Sequence, residues 1–507
     1  MKLKLLCDAA GIACPAAYDG EEITGISSDS RRVSAGQMFV CLRGTQTDGH
    51  EYVEAAIERG ATCVLSDRYA ALAPREGVIY LQCADTRRAL SHLWNAWYDF
   101  PAKHLKLIGV TGTNGKTSVT HMIRAILEAS LYKCGLIGTL GCEIAGRVID
   151  SASENALASM TTPDPEVLYR VLAQMAREGA EYVIMEVSSH ALALQKVAPL
   201  QFEAAIFTNL TPEHLDFHRT MEHYAASKAR LFDAARISIF NADSPYAAPL
   251  SENANGKCIT CTARDADADY AAEDISLRTD GVSYRLRSLR TRLMMSCPLP
   301  GAFTVTNSMQ AAICALELGV SPAVIKTALG TLPPVKGRME RVRLGIGADF
   351  TVLIDYAHTP DAMEKSLRTA RELVGRGGRL TVLFGCGGDR DKSKRAVMGR
   401  IAASLADGVI LTSDNSRSEE PEAIITEIRA GMGDTEPIAT VVDRREAIRW
   451  GVANATRGDV LLLCGKGHEE YEITKQGKRP FCEREIALLA FEERKKEGRG
   501  KGDEDSI

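Results

Sequence analysis

No run of apolar residues in this 507-residue chain approaches the roughly 18 that a helical membrane span requires. The longest such stretches, Val460 to Cys464 among them, are short and read as buried strands, so no membrane insertion is expected. A basic excess is missing too. Lysine and arginine number 61 against 66 acidic residues, a net charge of −5. With a pI near 6.1, this argues against a nucleic-acid binder, whose footprint is a basic stripe. No secretory signal is expected from the N-terminal residues: Lys2 and Lys4 precede Leu5, Leu6 and Cys7, but Asp8 interrupts the apolar segment. The fourteen cysteines are scattered and form no disulfide framework. One Cys-x-x-Cys occurs, at Cys258 and Cys261, with no further ligands near it to complete a zinc site, so both read as ordinary thiols. A reducing, cytoplasmic location is inferred. Disorder is excluded for the bulk of the chain, which is 45% hydrophobic and 25% charged.

At roughly 150 residues per domain the length predicts about three domains. The first, 1–101, mixes short elements: strands at Gln37 to Leu42 and Cys63 to Ser66, a helix at Tyr52 to Arg59, and a linker at Phe100-Pro101. The second, 102–336, opens with a strand at Leu105 to Val110, a glycine-rich turn and a helix. Strands at Tyr182 to Val187, Ala204 to Thr208 and Ile237 to Asn241 follow, then a β-meander over 265–297 and a helix near Thr306 to Leu318. This alternation predicts a mostly parallel sheet covered by helices. The segment Gly330 to Gly337, with Pro333-Pro334, reads as a hinge. The third domain, 337–493, alternates strand and helix regularly, with strands at Thr351 to Ile354, Leu380 to Phe384, Gly408 to Leu411, Ala439 to Val442 and Val460 to Cys464. That is the pattern of a doubly wound, Rossmann-like α/β fold. The charged, glycine-rich end, 494–507, reads as a frayed tail.

Gly112-Thr113-Asn114-Gly115-Lys116-Thr117 lies between a strand and a helix, where a phosphate loop belongs. Backbone amides and the helix N-terminus cradle phosphate, lysine neutralises it, and the threonine hydroxyl reaches Mg²⁺. Val110 occupies the place of the first Walker glycine, so the match is to a shorter variant. Glu186 ends a strand, where a carboxylate beside a phosphate loop can hold Mg²⁺. The run Thr208 to Asp216 is rich in ligand types, and His214 there reads equally as a structural histidine. In the next helix Met221, Tyr224, Lys228, Leu231 and Phe232 share one face, so Lys228 lies on the apolar side. Such a lysine usually snorkels; if buried, its amine becomes neutral and can take up CO₂ as a carbamate.

Polar clusters follow four strands of the third domain: Asp355-Tyr356-Ala357-His358, Gly385 to Lys392, Ser413 to Arg417, and Gly465 to Glu469. In open α/β sheets ligands bind outside the carboxyl ends of the strands. Arg390 and Arg417 can each grip a carboxylate with a bidentate fork, and Glu469 can take an ammonium group.

With these motifs assembled, the chain resembles the Mur ligases, ATP-dependent amino-acid ligases of peptidoglycan precursor synthesis. The resemblance spans all three blocks and rests on Gly112 to Thr117, Met185 to His190, Asn209 to Asp216, Asp355 to Ala362 and Gly465 to Glu469. Thr161-Thr162-Pro163-Asp164 and Asp414 to Arg417 narrow it to the branch that joins UDP-MurNAc-L-Ala-D-Glu to meso-diaminopimelate. The resemblance implies that Ser28, Ser30, Thr45, Gln46 and Thr47 hold the UDP-sugar, and that Thr161, Thr162, Ser188 and Lys196 hold the muramoyl dipeptide. It implies ATP binding by Gly112 to Ser118, Asn307, Arg338 and Asp355. Lys116, Glu186, His214 and Lys228 would be catalytic, and Mg²⁺ would be organised by Thr117, Glu186, His214 and a carbamylated Lys228. Arg390, Asp414, Asn415, Ser416, Arg417, Gly465 and Glu469 would form the diaminopimelate pocket. A monomer acting on small molecules is expected. Three positions depart from the family's pattern: Glu213 stands for Asp, Lys196 for Arg and Ser416 for Pro. The competing readings are a lysine-adding ligase, a folylpolyglutamate-synthetase-like ligase, and a phosphate-loop switch.

Overall fold

The computed structural model describes residues 1–44, 47–68, 75–149, 161–252, 254–264 and 267–504, the side chains of 497–504 excepted. Among the described residues the strands form sheets of four, eleven, six and two strands. The first sheet is parallel throughout, in the order Gly25–Ser27, Gln37–Val40, Ala61–Ser66, Ile79–Gln82. The predicted strand at Gln37 to Leu42 stops at Val40, and the helix read over Tyr52 to Arg59 is Val53–Glu58.

The large sheet has a parallel centre. In spatial order its strands are Lys257–Thr262, Ala235–Asn241, Phe202–Phe207, Lys106–Thr111, Tyr182–Glu186 and Cys134–Gly138. Five of the six residues in Lys106–Thr111 are buried, as expected where helices cover both faces. The helix Lys116–Ala129 packs its Val119, Met122, Ile123, Ile126 and Leu127 into the core shared with the helix Ala302–Glu317. The expected meander is present as antiparallel strands Tyr270–Arg278, Gly281–Arg287 and Arg292–Cys297, added at one edge. Register Val110↔Glu186 sets that carboxylate at the level of the turn that follows Thr111.

The six-stranded sheet runs Glu340–Arg341, Thr351–Asp355, Val460–Cys464, Leu380–Phe384, Gly408–Leu411, Ala439–Thr440. The first pairing is antiparallel and the rest are parallel, so the four polar loops issue from one end of the sheet. Two differences from the periodicity matter. The strand expected at Ala439 to Val442 ends at Thr440. After Val460–Cys464 a hairpin, Tyr471–Thr474 with Gly477–Pro480, precedes the final helix Glu483–Glu504. That helix carries the backbone through Glu504, where composition predicts a frayed end.

Candidate active site

The turn Gly112 to Gly115 requires glycine at both ends. Gly112 has φ +150° and Gly115 φ +89°, conformations that side chains rarely adopt. A Cβ at Gly112 would also collide with Thr208 Oγ1, and one at Gly115 would come within 2.8 Å of Asn307 Oδ1. The turn is held from below: Asn209 O accepts from Thr113 N (2.9 Å), Asn209 Oδ1 from Asn114 N (3.0 Å), and Thr208 Oγ1 donates to Asn114 O (2.6 Å). Thus Thr208 and Asn209, read as ligand-rich, hold the phosphate loop in shape. The helix beginning at Lys116 has no side-chain cap, so its first amides are free to receive an anion. Lys116 Nζ donates to Gly112 O (2.9 Å) and Thr113 O (2.8 Å), and burial lowers its pKa.

Glu186 is 1% exposed. Its Oε1 accepts from Thr117 Oγ1 (3.0 Å) and Thr139 N (2.9 Å), and its Oε2 from Thr139 Oγ1 (3.0 Å). Thr139 was not legible as a site residue; it follows the strand Cys134–Gly138, whose pairing with Tyr182–Glu186 brings it there. Thr139 Oγ1 also meets Thr161 Oγ1 at 3.2 Å. Thr162 Oγ1 donates to Glu186 O (2.9 Å) and accepts from Ser188 N (3.0 Å). Thr161, Thr162 and Ser188 therefore do gather at one edge of the carboxylate. Lys196 pairs with Asp164 at 2.8 Å.

Lys228 and His214 form a second group. Lys228 is buried, 4.6 Å from the centroid of the Tyr224 ring. Burial, reinforced by the Lys116 charge, pushes it well below the ordinary lysine range. The face predicted for this helix is the one observed: Tyr224, Lys228, Leu231 and Phe232 are its buried residues. Tyr224 Oη lies 3.2 Å from Thr113 Oγ1, which ties the helix to the phosphate loop. The His214 ring stands 4.7 Å from that of His190 and 6.4 Å from that of Tyr224, and burial lowers its pKa. Burial opposes ionisation of Glu213, but the hydrogen bond from His358 and the charges of His214 and Lys116 hold its carboxyl below the usual range.

Three contacts close the cleft between the large sheet and the third domain. Arg338 Nη2 donates to Thr117 Oγ1 (2.9 Å), Asn114 Nδ2 to Asp361 Oδ2 (2.6 Å), and His358 Nε2 meets Glu213 Oε1 at 3.3 Å. Beside them a largely apolar cavity is lined by Ser118, Met122, Leu299, Phe303, Asn307 and Arg338. Asp355, expected at the nucleotide, is buried and hydrogen-bonded within the protein. Its Oδ1 accepts from Met339 N (3.0 Å), its Oδ2 from Ser366 Oγ, and burial raises its pKa. It anchors the segment that carries Arg338.

The strand-end crevice of the third domain has paired charges. Arg417 Nη1 donates to Gly388 O (2.8 Å) and Asn415 O (3.2 Å). Burial, then the charge of nearby Arg390, lowers the Arg417 pKa. Among the described residues neither guanidinium has a carboxylate within ion-pair distance. Opposite them Asn415 Nδ2 donates to Glu469 Oε2 (2.8 Å), and buried Lys466 donates to Asn415 Oδ1 (2.9 Å). Lys466 lies 3.7 Å from both Asp414 and Glu469. Burial and the Asp414 charge raise Glu469, whereas Lys466 and Arg444 overcome burial and lower Asp414. Gly465 has φ +116°, and a Cβ there would come within 2.5 Å of Asp414 Oδ2. Ser416 is buried in the loop wall.

In the first domain, Ser28 is exposed just after Gly25–Ser27 and Ser30 begins a short turn. Thr47 O accepts from Gly44 N at 2.8 Å, and no hydrogen bond joins these three among the described residues. Thr45 and Gln46 lie outside the described residues.

Three α/β units, a phosphate loop backed by a buried glutamate, and a charged crevice at the strand ends of the third domain define a nucleotide-dependent ligase architecture. The comparisons give the family. Family models described as Mur ligase family, catalytic domain; Mur ligase middle domain; and Mur ligase, glutamate ligase domain match residues 22–98, 110–315 and 337–467. The chain belongs to the Mur ligase family of ATP-dependent ligases. It is 42% identical over 473 residues to the UDP-N-acetylmuramoyl-L-alanyl-D-glutamate--2,6-diaminopimelate ligase of Syntrophomonas wolfei subsp. wolfei, covering 92% of this chain and 94% of that one. The ligase of the same name from Caldanaerobacter subterraneus subsp. tengcongensis is also 42% identical, with 94% and 96% covered. A solved structure of a ligase of that name is similar at TM-score 0.67 and 31% identity, covering 96% of this chain and 98% of that one. A Mycobacterium tuberculosis folylpolyglutamate synthase shares the fold at TM-score 0.60 and 19% identity over 75% of this chain and 92% of that one.

Proposed function

We propose that this ligase adds meso-2,6-diaminopimelate to the D-Glu γ-carboxylate of UDP-MurNAc-L-Ala-D-Glu, in the cytoplasm and as a monomer, for peptidoglycan precursor synthesis. The observation that carries this reading is the Arg390–Arg417 pair, neither of which has a carboxylate within ion-pair distance among the described residues, with Asp414 and Glu469 near Arg417. Two guanidiniums without a carboxylate of their own suit a terminus bearing a carboxylate, and Glu469 can take its ammonium group. L-Lysine lacks that carboxylate and would leave the guanidiniums unpaired, a loss such sites penalise strongly.

The γ-carboxylate attacks the γ-phosphorus of ATP, ADP leaves, and an acyl phosphate forms. The diaminopimelate amine then attacks the acyl carbon and phosphate leaves. Helix-start amides and Lys116 would hold the phosphates, with Asn307 and Arg338 at the rest of the nucleotide. Mg²⁺, when bound, neutralises charge on the phosphoryl group in transfer. Thr117 and Glu186 suit its oxygen-ligand preference. Thr117 Oγ1 and Glu186 Oε1 lie 3.0 Å apart and would hold the ion together with a carbamate. Lys228 supplies the carbamate: its neutral amine adds to CO₂ and releases a proton. His214 would sit beside that group. Thr161, Thr162 and Ser188 would orient the dipeptide, and Ser28, Ser30 and Thr45 to Thr47 the UDP-sugar.

The test is phosphate release with ATP, Mg²⁺ and UDP-MurNAc-L-Ala-D-Glu, comparing meso-diaminopimelate, L-lysine and no amine. Release with diaminopimelate alone is expected. Release with lysine instead would overturn the specificity. Release with neither would overturn the ligase assignment.

A further inference from the structure

Arg395 is a fully buried arginine that the mechanism does not use, its side chain 0% exposed near the start of the helix Ser393–Leu405. Its Nη1 and Nη2 grip Glu419 through Oε2 (3.0 Å) and Oε1 (2.9 Å), the two-pronged geometry of a bidentate pair. Nη2 also donates to Gly387 O at 3.2 Å, and Nη1 to Glu427 Oε2 at 2.9 Å.

Glu419 in turn joins two loops. Its Oε1 accepts from Asp389 N at 2.7 Å, and Asp389 takes Ser418 N (3.1 Å) and Ser418 Oγ (2.6 Å) on its carboxylate. Gly388 N donates to Asn415 O at 2.9 Å. Asp389 precedes Arg390 with φ +54°, and Arg417 itself has φ +52°. Both are non-glycine residues in the left-handed region, which persists only where surrounding contacts over-determine it. The loops approach so closely that a Cβ on Gly388 would collide with Ser416 O, and one on Gly387 would fall 2.9 Å from Arg417 Nη1.

We propose that the Arg395–Glu419 pair is a buried clamp that sets the spacing of Arg390 and Arg417, making Arg395 a positioning residue for selection of the amine substrate. Arg395 lies beneath the loop backbone, its guanidinium held by Glu419, Glu427 and the Gly387 carbonyl. The inference rests on the diaminopimelate reading for its substrate arm, and on the loop geometry alone for its second arm.

Two variants test it, Arg395→Lys, which keeps charge but loses the fork, and Glu419→Gln, which keeps shape but loses charge. In both, the ratio of kcat/KM for meso-diaminopimelate over L-lysine should fall about tenfold or more, while KM for ATP stays within about twofold. Amide hydrogen exchange should quicken together in 387–390 and 413–419 and stay unchanged in 112–129. An unchanged ratio, or equal losses for both amines and ATP, overturns selection by the clamp. Unchanged exchange in the two loops overturns the clamp itself, whatever the substrate. If the wild-type protein shows no diaminopimelate-dependent turnover, the functional reading falls, and the exchange arm still decides the clamp.

Discussion

Gly138 offers a way to move Glu186 without touching it. Its backbone is not in the left-handed region, so alanine meets no conformational penalty there. The added Cβ would, however, fall well inside 3.0 Å of Glu186 Oε1 and at 3.0 Å from its Cγ and Cδ. The carboxylate cannot swing aside freely, since Thr117 Oγ1, Thr139 N and Thr139 Oγ1 all donate to it. Each hydrogen bond to a charged group contributes about 1.5–3 kcal/mol, so displacement is costly whichever one breaks. A misplacement of about 1 Å at such a site costs roughly 10²-fold in rate, equivalent to about 2.7 kcal/mol of barrier. Gly138→Ala should therefore lower kcat about 10²-fold and shift the Mg²⁺ dependence to higher concentration. Phosphate release across a Mg²⁺ titration measures both, with circular dichroism to verify the fold. Wild-type turnover with unchanged Mg²⁺ dependence would refute the claim that Glu186 must stay where it is.

Four further outcomes are expected. Lys228→Ala should collapse turnover, with partial rescue by added short carboxylic acids; full activity without them would remove the carbamate. Arg417→Ala should raise KM for diaminopimelate by one to two orders of magnitude, the scale of losing a charged hydrogen-bonding partner, while ATP binding by calorimetry holds; equal losses would misplace the pocket. Burial pushes His190 and His218 down to about 4, so between the ordinary value of 6.5 and about 4 the unfolded chain binds more protons than the native one. These two groups should make stability fall as pH drops through that window and add no slope above it, readable as urea midpoints against pH. Arg444 and Glu483 are 0% and 1% exposed and paired at 2.7 Å. Arg444→Met leaves the glutamate buried and alone, so urea unfolding should show a loss of about 3–5 kcal/mol.

What the sequence made legible was local. A glycine-rich turn between strand and helix, a lysine on an apolar helical face, and polar residues after successive strands each follow from spacing over a dozen residues, and the structure has all three. The contacts that assemble these parts are not local. Arg338 meets Thr117 across 221 residues, Asn114 meets Asp361 across 247, and His358 meets Glu213 across 145. Their pairing depends on how the domains dock, which no periodicity records. Arg395 shows the limit most sharply. In sequence it is one more cation among Lys392, Lys394 and Arg400, the pattern of a solvated face. It is buried because two loops, 387–390 and 413–419, fold over it and supply Glu419 and the Gly387 carbonyl. Asp355 shows a related limit: its strand-end position suits a ligand contact, and that position does not reveal its hydrogen bonds from Ser366 and the Met339 amide. A strand-end carboxylate can serve a ligand directly or hold in place the cation that does. Here Asp355 accepts from the amide of Met339, the neighbour of Arg338, whose Nη2 donates to Thr117 Oγ1.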